Sequence, residues 1–369
     1  MKVLVDGLSR ETGGVGSLIM NITSYALSVQ GPVAFSFLVS EDSVYIPELK
    51  EKGLQYFLVP KLTRVLEYRS CLSKLFRQNH FDYVWINNSS KVNLLLPRMA
   101  VKLGKAKVIA HTHGISSEET GLKAAVFQGI EHCVQKKFDA YISIPLACSQ
   151  AAADHFYSDP ELRSRVQLIH NGIFAEKFLF SPEVRQETRS RLLIEDTDIL
   201  LGAVGRMAPV KNYLFLIPLL KALPPEYKLL FLGDGPDRED IENAADAAGV
   251  KSRILMPGCV PNVAAYLNAM DVFVMPSLHE GMPFSAIEAQ ACGLPCVISD
   301  TVTKEVDLTA SVRFARLNDT QDWQEKVIAA AQSPVDRMEM NQKVTAAGFS
   351  IENGYRTLLQ VMEDHKVEN

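Results

Sequence analysis

Positive charge is in short supply. Lys and Arg number 38 against 43 Asp and Glu, a formal net charge of −5, so the chain has no overall basic footprint for nucleic acid. Long apolar runs are also missing: the longest, around Leu214 to Leu220, is too short to span a bilayer and contains Pro218. The six cysteines are scattered without metal-ligand spacing, and Cys292 and Cys296 read as packing residues at a helix end and the strand after it. That usage suits a reducing compartment. Met1-Lys2 runs straight into the apolar Val3-Leu4-Val5, so no signal peptide is expected ahead of the fold. No Asp-x-Asp pair occupies a strand's carboxyl end. The dinucleotide fingerprint is absent too, because the glycines of Gly13-Gly14-Val15-Gly16 are wrongly spaced for it.

What is present is an alternation. At 369 residues the chain exceeds one ordinary core and suits two domains, and its apolar (47%) and charged (22%) fractions are those of a soluble globular protein. Strand signals at Val3–Val5, Val33–Val39, Leu54–Val59, Tyr83–Ile86, Val108–Ala110, Tyr141–Ile144 and Val166–Ile169 are separated by helical stretches. The series resumes at Ile199–Val204, Leu229–Leu232, Arg253–Met256 and Val272–Met275, with another strand opening near Pro295. This pattern predicts βαβ units around parallel sheets, hence an α/β fold. The final stretch, Phe349 to about Glu363, is expected to form a helix with Ser350 as its N-cap.

Ligands of open α/β sheets gather past the carboxyl ends of strands, and several polar motifs fall there. The densest is His279-Glu280-Gly281-Met282-Pro283-Phe284-Ser285-Ala286-Ile287-Glu288-Ala289, which follows a buried strand and runs into a helix. Two glutamates near one helix are ordinarily a solvated face. Here an apolar tight turn separates them, and the free N–H groups of Met282, Phe284 and Ser285 suit a phosphate or a sugar hydroxyl, Pro283 having none to offer. Gly205-Arg206 ends the Ile199–Val204 strand, with Lys211-Asn212 just beyond, expected to open a helix; two converging cations suit a diphosphate. His111-Thr112-His113 ends another strand, where a packing role and a site role both remain open. The Gly14/Gly16 cluster is either a tight turn or a close backbone approach to a phosphate. Gly233-Asp234-Gly235-Pro236 reads as mainly structural. Two helical stretches, Lys61–His80 and Lys91–Lys107, carry Arg64, Arg69, Lys74, Arg77, Arg98, Lys102 and Lys105, which are either a solvated face or an attraction to an anionic membrane.

A Glu, seven residues, a Glu, then Ala-Gln-Ala-Cys-Gly-Leu-Pro resembles the signature of the retaining nucleotide-sugar glycosyltransferases of family 4, most of all bacterial capsule and exopolysaccharide enzymes. The resemblance is dense from Gly205 to Pro295 and thinner before it. It implies a GT-B fold, two Rossmann-like parallel-sheet domains facing across a cleft: an acceptor domain over 1–175, a donor domain over 176–348, and a helix over 349–369 returning to the first. By resemblance Arg206 and Lys211 bind the donor diphosphate and stabilise its departure. Glu280 lies beside the donor sugar, Glu288 accepts from the ribose hydroxyls, and His111 contacts the sugar. The remaining donor-binding positions so implied are Gly14, Gly16, Asn171, Gly205, Val260, Gly281, Met282, Pro283, Phe284 and Ser285. Acceptor choice falls to the loops Leu8–Met20 and Gly114–Gly121. The expected partners are a nucleotide sugar, a UDP-sugar first, and a glycan or lipid-linked acceptor. No metal or other cofactor is expected, and the setting is cytoplasmic, at the inner face of the membrane if the basic helices touch it. Rival readings are a glycoside hydrolase using the two glutamates, a sugar phosphorylase, a nucleotide-sugar epimerase, and a non-catalytic nucleotide-sugar-binding subunit.

Overall fold

The computed structural model of the chain describes residues 1–10, 13–87, 90–113, 129, 133–333 and 335–366. The chain divides into two compact units, the first comprising Met1–Gly172 with Ile351–Asn369 and the second Ile173–Ser350. The acceptor loop expected over 114–121 lies outside the described residues.

Among the described residues, the first unit is built on strands β1 (Lys2–Asp6), β2 (Ala34–Val39), β3 (Gln55–Leu58), β4 (Tyr83–Asn87), β5 (Lys107–Thr112), β6 (Ile144–Ala147) and β7 (Gln167–Leu168). They form one parallel sheet in the order β3-β2-β1-β4-β5-β6-β7. The second unit carries β8 (Ile199–Val204), β9 (Tyr227–Leu232), β10 (Ile254–Gly258), β11 (Val272–Met275), β12 (Cys296–Ser299) and β13 (Val312–Ala315), parallel in the order β10-β9-β8-β11-β12-β13. Helices cover both faces of such sheets, so the central strands are buried throughout and read as continuous apolar runs: every residue of β4, β11 and β12 is buried. Each unit has its own core. In the first, Leu4, Val84 and Ile86 pack against Tyr68, Leu72, Phe76 and Leu96. In the second, Leu201, Phe231, Val274 and Val297 pack against Leu216, Ile241 and Trp323.

Four expectations shift. β6 begins at Ile144 rather than Tyr141, because Tyr141 and Ile142 donate back to Phe138 and Asp139 and close a turn first. β13 was not anticipated: it is a four-residue strand holding Arg313 in mid-run. The helix of the first glycine cluster starts at Gly14 instead of Ser17, so Gly14 and Gly16 lie in its first turn. Lys211 does not open an α-helix. It ends a 3₁₀ turn, Pro209–Lys211, and Asn212, at φ 54°, breaks the helical path before the helix Leu216–Ala222. The terminal helix, Ile351–Asp364, packs within the first unit, where the Tyr25 and Tyr355 rings lie 5.6 Å apart and Tyr83 Oη donates to the Met362 carbonyl.

Candidate active site

In the second unit the strand order reverses between β8 and β11, and the polar residues singled out in the sequence gather at that junction. β8 leaves its sheet through Gly205, at φ 149°, a conformation that favours glycine. The exposed Arg206 follows. Behind it, the neighbouring turn fits against the same backbone. A Cβ on Gly233 would sit 2.1 Å from the Gly205 carbonyl oxygen, and one on Gly235 would sit 2.3 Å from that of Met207. Met207 N–H donates to Asp234 and Gly233 N–H to Gly258, so the Gly-Asp-Gly turn holds the Arg206 strand end in place.

The 3₁₀ turn folds Lys211 back over this strand end, its Nζ lying 3.8 Å from where a Gly205 Cβ would stand. The ammonium donates to Glu280 Oε1 at 2.6 Å, with the two side chains 20% and 17% exposed. The loop carrying Glu280 is tied to the same turn: Leu278 N–H donates to the Val210 carbonyl, and Asn212 Nδ2 donates to that of Pro276 at 3.2 Å. The sequence placed Lys211 and Glu280 in one site but did not reveal that they pair. Tyr213, buried beneath Gly205, also went unnoticed. Burial, and secondarily the Glu280 charge, push its phenol well above the usual range, so it stays neutral.

The helix Phe284–Ala291 begins just after Pro283, which serves as its N-cap. Met282 and Pro283 are buried, while Gly281, Phe284 and Ser285 are half-buried. Glu288 lies one turn further on, half-buried. Its carboxylate makes no hydrogen bond or ion pair among the described residues, and burial pushes it up to about 7. Gln290, fully buried, anchors the helix, donating to Ala286 and Val306 carbonyls and accepting from Leu308 N–H and Thr309 Oγ1. Val260 lies half-buried in the loop after β10, the edge strand two places from β8.

The other candidates belong to the first unit. His111, at the end of β5, is 1% exposed, stacked on Trp85 at 6.1 Å and 4.1 Å from the His113 ring. Burial, then the neighbouring His113, hold its imidazole well below the usual range, and neither ring nitrogen reaches hydrogen-bonding geometry, although the Ile169 backbone is nearby. Burial lowers His113 to about 3. Its Nε2 lies 3.0 Å from Asn87 Oδ1, and since Asn87 Nδ2 donates to the Asp6 carbonyl, the bond assigns the proton to His113 Nε2. Asn171 is buried beside His113. Gly14 is exposed at the helix start. A Cβ on Gly16 would sit 2.0 Å from Tyr45 Oη, so its bareness accommodates a tyrosine, whose oxygen also accepts from Gly13 N–H. Among the described residues, no group of three or more His, Cys, Asp or Glu could hold a metal ion, and no helix is long and apolar enough to cross a membrane.

Comparison with known proteins gives these features a context. Residues 184–347 match the family model of glycosyl transferases group 1. EpsF of Bacillus subtilis (strain 168), provisionally described as a glycosyltransferase, is 28% identical over 97% of this chain and 94% of its own length. The UDP-Gal:alpha-D-GlcNAc-diphosphoundecaprenol alpha-1,3-galactosyltransferase of Escherichia coli is 29% identical over 71% and 70%. Among solved structures, HepE of Anabaena in complex with UDP and glucose superimposes with a TM-score of 0.81 at 17% identity, covering 99% of this chain and all of that one. The sucrose-phosphate synthase of Thermosynechococcus elongatus gives 0.78 at 16%, covering 98% of both. The two Rossmann-like parallel-sheet domains are those of the GT-B fold.

Proposed function

We propose that this chain, a glycosyltransferase whose residues 184–347 match the glycosyl transferases group 1 and whose relatives act in polysaccharide or lipid-linked glycan synthesis, moves a sugar, with retention, from a nucleotide sugar to a glycan or lipid-linked acceptor of a bacterial surface polysaccharide. A UDP-sugar is the first candidate donor. It is the donor in the name of the Escherichia coli relative, and UDP occupies HepE. The observation that carries the reading is the convergence of Arg206, Lys211 and Glu280 at the β8–β11 junction.

In this reading Arg206 and Lys211 hold the diphosphate and offset the charge that grows on it as the bond from the anomeric carbon to phosphate oxygen breaks. The acceptor hydroxyl forms its new bond on the face the diphosphate leaves, and its proton passes to a diphosphate oxygen. Glu280 lies beside the donor sugar and keeps the Lys211 ammonium aimed. Glu288 accepts from the ribose hydroxyls, the N–H groups after Gly281 hold sugar hydroxyls and phosphate, and the backbone near Val260 meets the base.

A thermal-shift panel of UDP, GDP and ADP tests this. One of the three should raise the melting temperature, and Arg206→Ala should weaken that nucleotide about ten- to a hundred-fold, the range for a hydrogen bond to a charged group. Equal binding by the variant would sink the assignment. No divalent metal takes part in the proposed reaction, so turnover should survive excess chelator; loss of activity that added Mg²⁺ restores would count against it.

A further inference from the structure

Lys211 and Tyr213 stand on either side of Asn212, whose left-handed φ of 54° turns the chain so sharply that both side chains end at one place. Asn212 is itself held, its Nδ2 donating to the Pro276 carbonyl at 3.2 Å and lying 3.5 Å from Asn318 Oδ1. The place where they meet is defined by Gly205, the bare exit of β8. A Cβ on Gly205 would stand 3.0 Å from Tyr213 Oη, 3.5 Å from Lys211 Cε and 3.8 Å from Lys211 Nζ. Apart from the glycine's own chain neighbours, no atom of the described residues lies closer to that point. The position a side chain would fill is therefore open, and a hydroxyl and an ammonium flank it.

The Tyr213 ring belongs to the second unit's core, 3% exposed and 5.4 Å from the Phe231 ring. Packing accounts for the ring and not for the hydroxyl, since a phenylalanine would fill the same space. Buried phenols ordinarily find an acceptor, as Tyr83 and Tyr157 do on backbone carbonyls. Tyr213 Oη makes no hydrogen bond among the described residues. It keeps its proton, because burial, and then the Glu280 charge, hold the phenol well above its usual range. A buried donor without a partner costs free energy until an acceptor reaches it. The Lys211 ammonium has three protons, and Glu280 Oε1 takes one of them at 2.6 Å. An oxygen that enters over Gly205 thus meets one neutral donor and one charged one, with the exposed Arg206 next along the chain. Two converging donors suit an oxygen that has lone pairs and no proton of its own, as on a phosphate.

We propose that Tyr213 is a further ligand of the donor diphosphate, its hydroxyl donating to a phosphate oxygen that enters over Gly205 beside the Lys211 ammonium. This rests on the transferase reading and adds a neutral donor to its two cations. Gly205 has a second task in consequence: besides taking its φ of 149°, it leaves the hydroxyl uncovered.

The test uses the full chain with UDP, GDP and ADP and with the nucleoside of whichever binds. Tyr213→Phe keeps the ring against Phe231 and removes an oxygen that has no partner in the chain, so the melting temperature of the free protein should hold or rise. Its affinity for the nucleoside diphosphate should fall about tenfold, the loss of a hydrogen bond to a charged group. The nucleoside, read by saturation-transfer NMR, should bind parent and variant alike. A ring-fluorinated tyrosine in place of Tyr213 alone gives a second reading, which decides the matter if Tyr213→Phe does not fold. Its fluorine resonance should move on adding the nucleoside diphosphate and stay in place with the nucleoside. Equal diphosphate affinity in parent and variant, an equal loss for nucleoside and diphosphate, or a fluorine signal indifferent to the diphosphate would each overturn the role of Tyr213. A failure of all three diphosphates to bind the parent would instead strike the transferase reading.

Discussion

Glu280 and Glu288 are alike in the sequence and unlike in the fold. Glu280 has an ammonium 2.6 Å away, whereas Glu288 has no partner and is pushed up from 4.5 to about 7 by burial. The folded protein therefore holds the Glu288 proton more tightly than the unfolded chain does. Its contribution to stability is complete below pH 4.5 and is lost as pH rises through about 7. Glu288→Gln cannot ionise, so its melting temperature should match the parent near pH 4 and exceed it at pH 8, by an amount bounded at about 3 kcal/mol for such a shift. Melting curves at the two pH values check this, and a variant less stable at pH 8 than the parent would contradict it. The sequence showed that both acids stand near one strand end, because spacing along a chain is visible there. Which of them finds a cation was hidden: the partner lies 69 positions away and is delivered by a left-handed turn at Asn212.

At the scale of elements, legibility follows burial. β4, β8, β11 and β12 were readable because strands covered on both faces are apolar throughout. β13, with Arg313 inside four residues, gave no such run, and β7 is only two residues long. The helix Val65–Gln78 has one buried and one exposed face. Tyr68, Leu72, Leu75 and Phe76 are buried, while Val65 and Leu66, 51% and 81% exposed, stand with Arg64, Arg69, Lys74 and Arg77 on the outside. Apolar side chains flanked by cations suit the interface of an anionic bilayer. We expect sedimentation with phosphatidylglycerol vesicles and none with phosphatidylcholine. Leu66→Ser and the three substitutions Arg69→Ser, Lys74→Ser and Arg77→Ser should each reduce it, the cations by about 1 kcal/mol apiece. Indifference to lipid charge would discard this contact.

The whole molecule carries two separate cores, each covering one parallel sheet. Calorimetry should resolve two transitions, and a nucleotide at a hundred times its dissociation constant should raise the one belonging to Ile173–Ser350, by about 2.7 kcal/mol. Removing residues 351–369 strips Leu358, Val361 and Met362 from the first unit, and leaves bare the space beside Gly31 where Tyr355 fits. That truncation should lower the other transition and spare the nucleotide-sensitive one. A single transition shifted by both treatments would refute this division of stability.

The helix Ile351–Asp364 belongs to a unit whose other residues precede it by almost two hundred positions. During translation the later unit is therefore whole first. The earlier one waits, with the ground beside Tyr25 uncovered, until the segment after Ser350 has also been made, and in that interval its unsealed face is open to chaperones and proteases.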